Sequence, residues 1–269
     1  MLQFFLKEVN ILVRKSKKMN LADVMSQDNL NTEDIEKVLD EKLKGKEYSE
    51  KMHTLFMYFL KTSAELLRSI YISPSEDIIG EYIEKWCSYF INGRNNPTLK
   101  KALKNYGEKD EALIARVKSV TKVSDEKMAD YIEGHFLFMS AENNNGLILE
   151  EYLAHVLEKY GWIWCSGETV KAIDFVYLNE DKNESILLQI KNKYNTENSS
   201  SSAIRKGTEI IKWNRLNKPI KTDKSKPISN WKKLREIVNL YTPEACEELT
   251  EEKYLEYIKN NSGEDIETL

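Results

Sequence analysis

Two short apolar runs joined by a polar turn constrain this chain more than any other stretch: Ala172–Lys193, AIDFVYLNEDKNESILLQIKNK. Side chains alternate faces along a strand, so Val170, Ala172, Asp174, Val176 and Leu178 share one side of the first run. Asp174 is then an acid on an otherwise apolar face. In the second run Leu187, Gln189, Lys191 and Lys193 share a side, opposite Ile186, Leu188 and Ile190. Asn179–Ser185 is polar enough to be a hairpin loop, and antiparallel closure brings Asp174 near Gln189 and Lys191.

That layout suits phosphodiester hydrolysis. A hard divalent ion such as Mg2+ takes oxygen ligands, which the Asp174 carboxylate, the Gln189 side-chain carbonyl and the Ile190 backbone carbonyl can supply. Bound to phosphate, such an ion offsets the charge that builds at phosphorus, while Lys191 orients or helps deprotonate the attacking water. The same spacing also fits an ordinary surface hairpin with one charged pair. Upstream, Gly146–Tyr160 carries Leu149, Leu153, Val156, Leu157 and Tyr160 at helical spacing. At about 100° per residue, Glu150 falls beside that stripe and Glu151 well away from it. Glu150 is therefore the acid expected to join the site, in an α-β-β-β order.

The series Glu150, Asp174, Gln189-Ile190-Lys191 resembles the PD-(D/E)xK nuclease core. Two longer runs, GWIWCSGETVKAIDF (Gly161–Phe175) and LQIKNKYNTENSSSSAIRKGTEIIKW (Leu188–Trp213), resemble the SinI-type type II restriction endonucleases. The resemblance implies an α/β fold: a PD-(D/E)xK restriction-endonuclease-like mixed sheet flanked by helices. It implies that Asp174 binds metal, Lys191 is catalytic and Glu150 is an auxiliary acid. Gln189 departs from the wider pattern, which has Asp or Glu at that place. Also implied are Mg2+-dependent cutting of both strands of a palindrome of the GG(A/T)CC type, leaving 5′-phosphates, by a homodimer with one site per subunit. A cognate DNA methyltransferase is a further partner of such an enzyme. A low-specificity repair or recombination nuclease on the same core, and a DNA-binding module that does not cut, are the alternatives.

Charge distribution agrees with a polyanionic partner. The net charge is −4, yet Gln189–Arg235 carries thirteen bases against three acids, a local +10, and Glu236 to the end reverses to −8. Within the basic block, YNTENSSSS (Tyr194–Ser202) is a loop in which Asn198, Ser199, Ser200, Ser201 and Ser202 can bind phosphates. Ser202 is expected to cap a helix over Ala203–Leu216, with Arg205 and Lys206 in its first turn and Lys193 just upstream. Lys218–Pro227 reads as an extended basic loop.

The 269 residues suffice for one large domain or two small ones. Residues 1–140 are expected to be mainly helical, serving DNA recognition or dimerisation, and 141–269 to be the nuclease core, with SAENNNG (Ser140–Gly146) as the boundary. Met1–Val13 is an apolar-rich segment. Helices are expected over Asn31–Leu43, Ser49–Tyr71, from Ser73 to about Ile91, and over Trp231–Tyr241 and Thr250–Asn260. Asn92–Pro97 (NGRNNP) is expected to be a loop whose Arg94 and Asn95 reach base edges. Cys87, Cys165 and Cys246 lack CxxC pairing, which argues against a disulfide framework or a zinc site. No apolar run spans a bilayer and the opening residues lack a signal-peptide layout, so the expected compartment is cytoplasmic.

Overall fold

The computed structural model describes residues 16–73, 77–103, 108–179, 184–194, 204–205, 208–223 and 227–263. They form a mixed α/β structure. Its contacts divide it into two compact units, one taking in the described residues of Met1–Asn96 and Leu157–Asn214, the other those of Pro97–Val156 and Arg215–Leu269. Each unit is assembled from two distant stretches of chain.

In the first unit, β1 (Lys17–Met19) pairs antiparallel with β2 (Ile70–Ile72) beside helices α1 (Leu21–Asp28), α2 (Thr32–Leu43), α3 (Ser49–Thr62) and α4 (Ile78–Asn95). Local chemistry explains the helix starts. Asn31 accepts the Asp34 N–H at 2.9 Å, as expected of a cap, and Asn20 and Asp23 cap α1 reciprocally. In α2, Ile35, Leu39 and Leu43 recur every four residues and are buried. In α4, Ile79, Ile83, Trp86 and Phe90 form the expected inward stripe.

Two expectations here are corrected. The helix from Ser49 ends at Thr62; a 3-10 turn (Ala64–Leu66) and β2 follow, because Ile70 and Ile72 find strand partners in Met19 and Lys17 some fifty residues earlier. The helix expected from Ser73 begins instead at Ile78, where Asp77 caps it through the Gly80 N–H, and it continues through Asn95. Asn92–Asn95 is therefore helical, not loop.

The chain then builds β3 (Trp162–Trp164), β4 (Phe175–Asn179), β5 (Glu184–Lys193), β6 (Ile211–Asn217) and β7 (Ile228–Ser229), hydrogen-bonded in that order as one sheet. The β4–β5 hairpin is as the alternation predicts: antiparallel, with Phe175 opposite Leu188, Val176 opposite Leu187 and Tyr177 opposite Ile186. One face, with Ile163, Val176 and Leu187, packs into the helical core. The other presents Trp162 against Tyr177, ring centroids 5.3 Å apart.

β6 corrects a larger error. Ile211–Leu216 was expected to lie in a helix, but it is a strand in which Trp213 and Arg215 are both buried. Ile204 and Arg205 are helical, while Ser199–Ala203 and Lys206 lie outside the described residues. So does Met1–Val13.

The second unit holds α5 (Glu111–Thr121), α6 (Asp125–Leu157), α7 (Trp231–Val238) and α8 (Glu251–Asn261). Ser140–Gly146, the expected boundary, is an interior stretch of α6. Leu149, Leu153 and Val156 are buried along α6 as their spacing requires. Arg215 bonds Glu251 and lies 5.2 Å from the centroid of the Tyr254 ring, and the Trp231 indole N–H donates to Glu251 at 2.6 Å. Thr250 caps α8 by accepting the Lys253 N–H. Among the described residues no helix is long and apolar enough to cross a membrane.

Candidate active site

Asp174 stands just before β4, at the end of a connection that leaves β3 at Trp164. Its N–H donates to the Leu188 carbonyl at 2.9 Å and its carbonyl accepts the Cys165 N–H at 2.8 Å, so its backbone is held on both sides. The regular register ends at Phe175 opposite Leu188, and the Asp174 N–H already shares the Leu188 carbonyl, so Asp174 sits at the irregular end of the hairpin beside the stretch Gln189–Lys191. Lys191 follows Gln189 by one pleat. What brings the Asp174 carboxyl to the second strand is its bond from the Ile190 N–H, with the Lys191 charge close enough to act on it.

The surroundings of these groups are unlike those of a surface hairpin. The Ile190 N–H donates to Asp174 Oδ2 at 2.6 Å. Burial pushes the Asp174 carboxyl up to about 6, against the opposing pull of the Lys191 charge and the Ile190 N–H, while Glu168 pushes it further up. Gln189 is fully buried, and its Oε1 has no hydrogen-bond partner. Leaving a buried carbonyl oxygen unpaired costs about 1–3 kcal/mol, so this is an atom awaiting a ligand or an ordered water. Paired with a carboxylate, it makes an all-oxygen donor set that fits a hard divalent cation better than a soft one. Among the described residues no group of three or more His, Cys, Asp or Glu could hold a metal.

The remaining expected residues are placed differently. Glu150 is partly buried on α6, in the second unit, whereas Asp174, Gln189, Ile190 and Lys191 all belong to the first. Its neighbour Glu151, expected to point outward, is buried and accepts the N–H groups of Thr98 at 2.5 Å and Leu99 at 3.2 Å. Glu151 thus caps the 3-10 turn Thr98–Lys100. Lys193 and Arg205 are partly exposed. Asn198–Ser202 and Lys206 lie outside the described residues.

Arg94 does not reach outward to bases. Its side chain is 6% exposed and forks onto Glu158, Nη1 to Oε2 at 2.9 Å and Nη2 to Oε1 at 2.8 Å, while Nη2 also donates to the Trp164 carbonyl at 2.7 Å. The guanidinium lies 4.3 Å from the Phe90 ring centroid and 5.4 Å from that of Trp164. Burial would push the Glu158 carboxyl up, but the bonds from Arg94, Lys51 and the Trp164 N–H outweigh it and hold the group below its usual range. Asn95 is exposed; it donates to Glu47 and accepts the Tyr48 hydroxyl.

Known proteins match this frame. The family model for the SinI restriction endonuclease matches residues 66–262, which includes all four site residues of the hairpin. The chain belongs to the SinI restriction endonuclease family. The type II restriction enzyme SinI of Salmonella infantis is 32% identical over 211 residues, covering 68% of this chain and 89% of that enzyme. The type II restriction enzyme Eco47I of Escherichia coli is 43% identical over 138 residues, covering 51% of this chain and 55% of that enzyme, so the chain matches little more than half of Eco47I.

Sequence reasoning missed Arg68 and Glu168. In this SinI-family chain they meet at the turn between β3 and β4, where Arg68 Nη1 donates to Glu168 Oε2 at 3.1 Å. Nothing local in Ser166–Glu168 shows that an arginine a hundred positions earlier closes on it.

Proposed function

We propose that this chain is a type II restriction endonuclease that cuts both strands of duplex DNA at a short palindrome in a Mg2+-dependent reaction on a PD-(D/E)xK core. The observation that supports the reading is the buried Asp174 carboxyl beside the Ile190 N–H and the Lys191 charge, next to a Gln189 Oε1 that is buried and unpaired. Asp174 and Gln189 would hold the cation, together with the Ile190 carbonyl. Bound there, it would take a phosphate oxygen and offset the charge developing at phosphorus.

Lys191 orients the attacking water and stabilises the developing charge, and Asp174, ionised at neutral pH, supplies the negative donor. Glu150 remains the auxiliary acid by resemblance. Lys193, Arg205, Lys206 and the stretch Asn198–Ser202 contact phosphates, as their place in the basic block supports. Arg215, though part of that block, is spent on Glu251 inside the protein. A two-fold target is matched most simply by a homodimer. Resemblance points to GG(A/T)CC as the site, to 5′-phosphate ends and to a cognate methyltransferase.

Digestion of a DNA of known sequence with purified protein, with and without Mg2+, tests this. Discrete fragments with 5′-phosphates that vanish under chelation are expected. A smear would indicate a nuclease without sequence preference, and no cutting with any divalent ion would leave a DNA-binding protein.

A further inference from the structure

Three residues in left-handed backbone conformation precede Asp174: Gly167 (φ 68), Glu168 (φ 53) and Ala172 (φ 59). Two of them carry a Cβ, and each such residue costs on the order of 1–3 kcal/mol unless its surroundings hold it there. Gly167 is obligatory, because a Cβ on it would lie 2.1 Å from the Tyr89 carbonyl oxygen of α4.

Arg68 does much of the holding. Its Nη1 donates to the carbonyls of Gly167 at 3.1 Å and Glu168 at 3.3 Å, besides the Glu168 carboxylate. Its own N–H donates to the Thr169 carbonyl at 2.9 Å, and its carbonyl accepts the Tyr82 hydroxyl at 2.8 Å. The guanidinium is seated 4.2 Å from the Tyr89 ring centroid, which limits its swing. The next bond along ties the Lys171 N–H to the Leu66 carbonyl at 2.8 Å. The Lys171 ammonium adds a bond to the Glu65 carbonyl at 2.7 Å and the Trp86 indole N–H of α4 one to the Thr169 carbonyl at 3.0 Å, and the chain then runs on to Asp174.

We propose that Arg68 is a positioning residue for the active site: by clamping the turn Gly167–Thr169 it fixes where Asp174 stands beside Gln189, and so how well their oxygens take a divalent cation. The role rests on the metal-dependent reading above. It favours arginine, whose planar guanidinium lies on the Tyr89 ring and so aims Nη1 at its acceptors; a lysine ammonium keeps the charge and its donors but lacks the plane that fixes their direction.

Full-length wild type, R68A and R68K are compared by calorimetric titration with Mn2+ alone, by the Mg2+ concentration giving half-maximal cleavage, by DNA retention on a gel in chelator, and by thermal melting. Residues that orient metal ligands typically account for about 10- to 100-fold in metal affinity or activity. R68A is expected to weaken Mn2+ binding and raise the Mg2+ requirement within that range, with DNA retention unchanged and R68K in between. Folded R68A matching wild type in both metal readouts overturns the role, and so does cleavage lost with Mn2+ binding intact. If R68A is unfolded at the assay temperature, R68K decides by the same comparison. Wild type that cuts no DNA with Mg2+ or Mn2+ overturns instead the reading on which the clamp rests.

Discussion

Replacing Asp174 with asparagine separates what this residue costs the fold from what it gives the site. The native carboxyl holds its proton up to about pH 6, whereas its ordinary value is 3.8. Native protein therefore binds more protons than unfolded protein between those values, and its stability rises as pH falls from about 6 to about 4. Above that window the buried charge weighs fully on the native state. At about 1.4 kcal/mol per pKa unit, the gap from 3.8 to about 6 corresponds to about 3 kcal/mol. D174N removes the charge and keeps an oxygen that can accept the Ile190 N–H. At pH 8 without divalent ion its melting temperature should exceed that of wild type by roughly 6–12 °C, taking about 2–4 °C per kcal/mol for a chain of this size. The difference should shrink towards pH 4. Mg2+ should then raise the wild-type midpoint and leave that of D174N unmoved. D174N melting below wild type at pH 8 in chelator would refute the reasoning, since it would mean that Lys191 and the Ile190 N–H already overcompensate the burial.

K191A should lower the cleavage rate by about 10²–10³-fold, as removal of a charge-stabilising donor does, while DNA still shifts on a gel. Q189L removes the unpaired buried oxygen, so urea unfolding in chelator should show it equal to wild type or up to about 3 kcal/mol more stable, with Mn2+ binding lost. R94A strips Glu158 of its buried fork and should cost about 3–5 kcal/mol in urea unfolding, while the sites cut by the remaining folded protein stay the same.

The hairpin was legible because alternation is a local property: Asp174 stood out among Val170, Val176 and Leu178, and the loop between the runs was polar. The cap at Asn31 and the helix over Thr250–Asn260 were legible because they too rest on neighbouring residues. β6 was not, because a buried arginine occupies one of its inward positions. Arg215 is made tolerable there by Glu251 and Tyr254, partners more than thirty residues away, so Ile211–Asn217 shows no apolar alternation. Glu151 misled in a related way. Angular position on α6 told which side carried leucines, but the opposite side is covered by a turn at Thr98 that no helical period announces. The Arg68 clamp joins residues about a hundred positions apart, and the left-handed residues it holds have no sequence signature beyond Gly167.

The hairpin register ties cutting to correct folding. Val176 and Leu187 anchor this face in the core, and Asp174 and Gln189 stand two positions along the chain from them. A slip of one residue would turn one strand's core residues outward and part Asp174 from Gln189 and Lys191 in the same step. On the proposed reading, a copy with the wrong register would lose its fold and its cutting together.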